Sequence, residues 1–523
     1  MEASDLDQLE GRLGPLPSDY REFLSSYPES FRHPIMGESL SALVHDDLQR
    51  LLHLNETGWT SGFRARGFIV IGGNGVGDPY LIKRDGEPGV FIGNHETGEL
   101  GVVQEESDLA RFLASFEAKR LDRFRDLCVA RGDLEDALRL ADAAVGAWKR
   151  YGRGKQATEA SRARTSLRLL TDPKKNDAEL GRILAADPPK AAAALGTAAN
   201  VAPGLVDAIL DAKMFPRYRT VAYANLWRAL PKRELVTWAM RRGALRKSPG
   251  ELFWLDWSLQ RAGIDRATRD ELFASLPVPP AALFDALQTG DGLMSAWVDL
   301  PIEVGVPYPF GDDDHLSYQE RTTIAFAAPL RMTRTPITEL QYVPFRNAFL
   351  EPLVRGRELD PREPACVGFG DAIAYGRWLE VKGGLAGVRL PTEEEWEVAC
   401  RAGTWWSAAA PDDLDEIAWP TPGSGKPICV ARKSANPWGL YDMVGLEAEW
   451  TLGEYDGSRM APAPRVPPRT VDPAAVAPLP TNRPDYPMVC GGRPSSSGHD
   501  PALRSGRSLE SVTAFRLVAP CRS

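Results

Sequence analysis

The spacing of apolar positions changes twice along the chain and divides it into three stretches. Near the start, Leu16-Pro17-Ser18-Asp19-Tyr20-Arg21-Glu22-Phe23-Leu24 places a polar cap candidate before a short amphipathic helix. The runs Phe68-Ile69-Val70-Ile71, Tyr80-Leu81-Ile82 and Val90-Phe91-Ile92 are short, apolar and separated by glycine-rich turns, which predicts the strands of a meander. Leu109, Phe112, Leu113 and Phe116 then recur at helical spacing, so a helix closes a small α+β domain over residues 1–117. Residues 118–295 are rich in Ala, Leu and Arg with short Pro or Gly breaks, and predict a helical domain, either a bundle or a repeat-like stack. Within it, Ser248-Pro249-Gly250-Glu251 and Thr268-Arg269-Asp270-Glu271 each match a capping box. A third domain, residues 296–523, mixes aromatic-rich helical motifs with glycine-rich blocks and carries a proline-rich insertion at 461–487. The nine prolines of that insertion predict an extended surface excursion able to dock on a neighbouring domain or partner.

Composition narrows the class. Hydrophobic residues at 43% and charged residues at 25% of 523 residues describe a multidomain globular chain. The net charge of −9 does not advertise nucleic-acid binding for the whole surface. Charge is nevertheless segregated: residues 118–250 hold 27 Lys+Arg against 14 Asp+Glu. Solvated helix faces are the favoured reading, and nucleic-acid binding through these basic helices is the alternative not favoured. The six cysteines show no CxxC spacing, so neither a zinc ribbon nor a thioredoxin-like site is indicated. The acidic N-terminus lacks the features of a secretory signal, and no apolar run approaches the ~20 residues of a spanning helix. A cytoplasmic, bacterial-type protein with no membrane partner is the expectation.

Three weaker signals are read as structure. Gly73-Asn74-Gly75-Val76-Gly77 is followed by a renewed strand and not a helix, so it predicts a tight β connection and no phosphate loop. Ala130 to Leu138 is similar to one turn of a tetratricopeptide repeat, without a fixed period to secure a solenoid. The acidic run Asp312-Asp313-Asp314-His315 is read as a solvated loop before a metal site.

The blocks LGPLPSDYREFL, FIVIGGNGVGDPYLI and VFIGNHETGEL, in that order, resemble the SUKH superfamily, known for bacterial immunity proteins and a fungal cell-wall regulator. That resemblance implies a binding fold. Further on, Met332 to Phe345, Gly370 to Leu379, RLPTEEEWEVACRAG (389–403), NPWGLYDMVGLEAEW (436–450), Gly491-Gly492 and Phe515-Arg516 together resemble the formylglycine-generating enzyme, or sulfatase-modifying factor, family. The resemblance implies a C-type-lectin-like fold with little regular secondary structure. The expected fold class is therefore multidomain α+β: a SUKH-like domain, a central all-α region and a formylglycine-generating-enzyme-like domain.

Thr392 and Glu395 fit a capping box, and Trp396, Glu449 and Trp450 are expected to be scaffold markers of this domain. The resemblance implies, in aerobic relatives, two cysteines shortly after the Gly-Gly pair that bind copper and activate oxygen. Here residues 493–507 read RPSSSGHDPALRSGR, without a cysteine, and a seryl hydroxyl is no substitute for a thiolate on soft Cu(I). The non-haem iron branch of the family takes histidines from a helical partner domain, yet none of the six histidines falls in 118–295. Leu446 occupies the position at which the family places an Asn on calcium. We therefore expect no catalytic residues, no metal and no cofactor, and a noncatalytic protein or peptide recognition role in a bacterial conflict, immunity or regulatory setting. Ser495, Ser496, Ser497, His499, Arg504 and Arg507 are the candidate lining of its ligand-binding cleft. The alternative is a metal-dependent oxidoreductase or protein-modifying enzyme of the same family, using Cys490 and His499.

Overall fold

A computed structural model describes residues 1–27, 44–56, 60–73, 78–94, 98–113, 154–170, 172, 174–281, 283, 297–311, 322–350, 360–404, 429–454, 469–473, 475–480, 487–491, 504–506 and 511–521. Its chain divides into two compact units, Met1–Met214 with Arg228–Leu230, and Phe215–Trp227 with Pro231–Ser523.

The first unit opens with α1 (Ala3–Leu13), α2 (Ser18–Ser25), α3 (Leu48–Glu56) and the short α4 (Ser61–Ala65). Four strands follow, β1 (Phe68–Gly73), β2 (Pro79–Lys83), β3 (Val90–Asn94) and β4 (Gly98–Glu106), paired antiparallel in sequence order as a meander. The fourth strand, rich in Glu and Gly, carried no sequence signal. Gly73 pairs with Pro79, so the glycine run joins two antiparallel strands, although residues 74–77 themselves lie outside the described residues. β1 is apolar at consecutive positions because both faces of the sheet are covered: Ile69 and Ile71 enter one core with α1–α3, while Phe68 and Val70 enter another with Phe63 and Leu81. Asn55, 1% exposed, exchanges hydrogen bonds of 2.9 Å with both the N–H and the carbonyl of Val70, so a side-chain amide from α3 serves the strand beside its bulge. Residues 109–113 are helical, and Leu109 and Phe112 complete the core. Phe116 and the segment Ala130 to Leu138 lie outside the described residues. Helices α5 (Gly154–Leu170), α6 (Asn176–Ala186), α7 (Pro188–Ala194) and α8 (Pro203–Asp211) then stack on one another in order.

The second unit begins in helical sequence. Helices α9 (Pro216–Ala229, to Trp227 in this unit), α10 (Lys232–Gly243), α11 (Pro249–Arg261) and α12 (Arg266–Asp270) precede strands β5 (Trp297–Asp299), β6 (Pro307–Phe310), β7 (Thr322–Phe326) and β8 (Leu330–Thr333). Helices α13 (Glu339–Arg346), α14 (Phe369–Gly383) and α15 (Glu393–Arg401) follow, then β9 (Ala448–Glu454), β10 (Arg469–Val471), β11 (Pro487–Gly491), β12 (Arg504–Gly506) and β13 (Val518–Pro520). The strands form three small sheets, ordered β10-β7-β6, β12-β11-β9 and β13-β8-β5.

Both capping boxes expected in the helical stretch differ in the structure. Ser248 does cap α11 through the Glu251 N–H, but the Glu251 carboxylate turns inward to Tyr223 Oη and to Arg242 Nε at 2.7 Å, where a buried cation outbids a cap N–H. Thr268 is not a cap at all: Asp265 caps α12, accepting from the Thr268 N–H at 2.9 Å. A carboxylate three residues upstream suits the positive helix end better than a hydroxyl does.

Helices α11 and α12 are built into the same unit as α14. Asp256, fully buried on α11, accepts from Arg269 at 2.7 Å and from Arg377 of α14 at 2.9 Å. Arg377 also holds Asp270 and Glu380, and Trp378 Nε1 donates to the carbonyl of Pro277 at 2.8 Å. At the other end of the junction Gly370 lies against the Phe253 ring, where a Cβ would stand 2.8 Å from a ring carbon. The Asp371 carboxylate there serves two helix N-termini, accepting the N–H groups of Gly368, the N-cap of α14, and of Gly250 in α11.

Burial pushes Asp371 up to about 6, against the opposing effect of those two donors. Since the folded-state value lies above that of the unfolded chain, about 4, this group contributes stability at low pH that is lost as pH rises through about 6. Asp371→Asn is expected to flatten the pH dependence of the denaturation midpoint between those two values, and an unchanged slope would remove Asp371 as its source.

Candidate functional site

The motif RLPTEEEW folds as a cap, a helix start and an ion pair at once. Thr392 and Glu395 form the reciprocal capping box of α15, with N–H contacts of 3.3 and 2.9 Å. Glu395 also pairs with Arg389, two contacts of 2.7 Å, both side chains at most 2% exposed. Arg389 reaches on to the Pro473 carbonyl at 3.0 Å and so ties the proline-rich segment to the motif.

One turn further, the Trp396 indole N–H donates to Glu449 Oε2 at 2.8 Å. Glu449 lies on β9 and receives both Nε and Nη2 of Arg516, at 2.6 and 2.7 Å. Arg516 then donates to the carbonyls of Thr333 and Tyr441, at 3.0 and 3.1 Å. Trp396, Glu449 and Arg516 are each 0% exposed, so this is a buried, hydrogen-bonded ion pair at the centre of the unit. Trp450, next along β9, points its N–H to the Val367 carbonyl at 2.8 Å. Among the motif residues Thr392, Glu395, Trp396, Glu449 and Trp450, the Trp396–Glu449 bond thus ties α15 to β9, and Arg516 carries the network on to Thr333 of β8.

Two groups here had no assigned role in the sequence. Asn436 donates to the Ala399 and Cys400 carbonyls at 2.8 and 3.2 Å and accepts from the Trp438 and Leu440 N–H groups, pinning the GLYDMVG loop to the end of α15. Glu397 accepts from Arg401 Nε and the Gly311 N–H, at 2.7 and 2.8 Å. The i,i+4 spacing of Glu397 and Arg401 was the available signal, but it reads equally as a surface pair.

Of the candidate cleft residues, Ser495, Ser496, Ser497, His499 and Arg507 lie outside the described residues. Arg504 opens β12, whose backbone pairs with β11 so that Arg504 stands opposite Cys490. Residues 492–503, which follow Gly491 in the sequence, lie outside the described residues. Gly491 itself has φ +67°, and a Cβ there would stand 2.7 Å from the Trp396 ring, so the strand end approaches the indole as only glycine allows. Asp312 to His315 also lie outside the described residues.

The donor set does not fit the metals the resemblance implies. Cys490, which precedes the Gly-Gly pair, is 1% exposed within the apolar cluster that contains Trp396, Met443 and Val518. Cys400, in the same cluster, has its thiol pushed well up by burial, the opposite of what a thiolate ligand requires. Leu446 is 2% exposed and offers no oxygen to a hard cation. Among the described residues no three His, Cys, Asp or Glu side chains converge as a metal site. Among them, too, no helix is long and apolar enough to cross a membrane.

Parts of the chain are similar to known proteins. A stretch of 104 residues is 38% identical to formylglycine-generating enzyme of Mycobacterium tuberculosis, covering 17% of this chain and 32% of that protein. Another of 107 residues is 34% identical to inactive C-alpha-formylglycine-generating enzyme 2 of Bos taurus, covering 18% and 33%. The chain thus spans about a third of the length of these relatives. Among solved structures, Treponema denticola variable protein 1 is similar at 20% identity and a TM-score of 0.35, over 45% of this chain and 98% of that one. PvdO from Pseudomonas aeruginosa is similar at 20% and 0.34, over 44% and 96%. Residues 310–499 match the sulfatase-modifying factor enzyme 1-like family model, and the C-terminal part of the chain carries a domain of that kind.

Proposed function

We propose that the C-terminal domain is a noncatalytic recognition module that holds a protein or peptide partner with the loop after Gly491. The observation that carries this reading is the sulfur chemistry: residues 493–507 contain no cysteine, and the nearby Cys490 thiol is packed in the core. Without a pair of thiolates, soft Cu(I) has no site at the loop. Hydroxyls of Ser495, Ser496 and Ser497 with the cations Arg504 and Arg507 instead suit polar recognition of an extended chain. A relative named an inactive formylglycine-generating enzyme supports the idea that such a domain persists without the reaction.

In this reading the domain has a C-type-lectin-like fold, and residues 1–117 are a SUKH-like binding domain, supported by the four-stranded meander under α1–α3. The setting is a bacterial conflict or regulatory system in the cytoplasm. The test is direct. The 523-residue chain is incubated with Cu(I) and then with a cysteine-containing peptide in air, and copper stoichiometry and formylglycine are both measured. Neither bound copper above background nor any aldehyde product is expected; stoichiometric copper with turnover would establish the enzymatic alternative.

A further inference from the structure

A cleft of about 540 Å³ opens beside the C-terminal end of α14, bordered by Glu380, Leu385 and Arg389, by Arg266 of α12, and by Pro473 and Pro478 of the proline-rich segment. Its volume lies in the range of small-molecule sites, ~300–1,000 Å³. Every described residue that lines it belongs to the second unit.

The guanidiniums at its border are committed to different degrees. Arg389 is held by Glu395 and by two backbone carbonyls. Arg331 is buried over the Trp297 ring at 4.7 Å, in cross-strand register with Asp299. Arg266 differs, since its side chain is 48% exposed and its partner is Glu380. Glu380 depends little on that contact, because Arg377 Nη1 at 2.7 Å and the Gly387 N–H at 3.0 Å also donate to it. A surface ion pair contributes little net stability. Arg266 can therefore turn to an arriving anion while Glu380 keeps two charge-assisted partners.

Apart from the Cys521 thiol, which is turned to Asp299 at 3.7 Å, the remaining described walls are small or aliphatic, from glycine, alanine, leucine, valine and proline, and among the described residues no aromatic ring lines the cleft. A nucleobase would find no stacking face. One adaptable guanidinium beside an aliphatic wall matches one negative charge on an aliphatic body. We propose that this cleft binds a carboxylate carried on an aliphatic group, with Arg266 turning from Glu380 to fork onto the carboxylate oxygens. The carboxylate belongs either to a small free acid or to the C-terminus of a peptide.

Calorimetric titration of the full chain separates these sources. The probes are N-acetyl-L-leucine, its amide, and an acetylated Ala-Pro-Leu peptide with a free C-terminus. Both acids are expected to bind, and the amide about tenfold or more weaker, because the forked contact is lost. Arg266→Gln is expected to weaken the acids by a similar factor, with Arg266→Lys recovering only part since an ammonium cannot fork. Tighter binding of the peptide than of the acetylated amino acid assigns the site to peptide termini; equal binding assigns it to small acids. Amide binding equal to that of the acid, full affinity in Arg266→Gln, or no heat from either acid up to about 10 mM overturns the proposal.

Discussion

Glu449→Ala is expected to destabilise the C-terminal unit by about 3–5 kcal/mol, since it leaves Arg516 as an uncompensated buried charge. The same change removes the acceptor of the Trp396 indole N–H. An unsatisfied buried donor adds about 1–3 kcal/mol of its own, though the two effects share one network and will not sum. Denaturant titration followed by the summed fluorescence of the chain's 14 tryptophans reads the loss. The double change Glu449→Gln with Arg516→Met is expected to recover much of it: the amide oxygen still accepts from Trp396, and the stranded cation is gone. A midpoint displaced by less than about 1 kcal/mol in Glu449→Ala would mean that the pair is solvated and not structural.

The second large effect concerns the junction of α11 and α14. Asp256→Ala is expected to cost about 3 kcal/mol, toward the lower end for a buried pair because Arg377 keeps Asp270 and Glu380. The readout is local. Hydrogen exchange in α11 and α14 should rise together, with proteolysis appearing between residues 231 and 281. Asp256→Asn keeps the volume and one acceptor, so it isolates the contribution of the charge. If exchange rises in α11 alone, Asp256 serves its own helix and not the junction.

Legibility in the sequence followed the range of the interaction. The capping box of Thr392 and Glu395 spans three residues and was readable, as were the short apolar runs that form the first three strands of the N-terminal meander. The Trp396–Glu449–Arg516 constellation was visible only as motif order, because its members lie 53 and 67 residues apart and no local pattern encodes their meeting. Cap assignment failed at Thr268 where a neighbouring carboxylate, Asp265, competed for the same N–H groups. The proline-rich insertion was expected to be a surface excursion. Part of it instead supplies β10, which pairs parallel with β7, and Leu479, which is 1% exposed. Proline content reports a missing donor at each ring, not whether the residues between the rings are buried. The reach of Arg377 into α11 and α12 was hidden for a different reason. A change of composition from helix-rich to glycine-rich sequence suggests a boundary, whereas the contacts of Asp256 and Asp270 cross it.

The separation of Glu449 from Arg516 also bears on synthesis. The cation is translated 67 residues after its carboxylate, which at roughly 5–20 residues per second means a wait of several seconds on the ribosome. Throughout that interval strand β9 holds a carboxylate that has no counter-ion to neutralise it, so the surrounding hydrophobic cluster cannot close over it at low cost. Closure of this core is thereby deferred until the segment bearing Arg516 emerges, and nascent chains stalled before that point should be the forms most readily captured by chaperones.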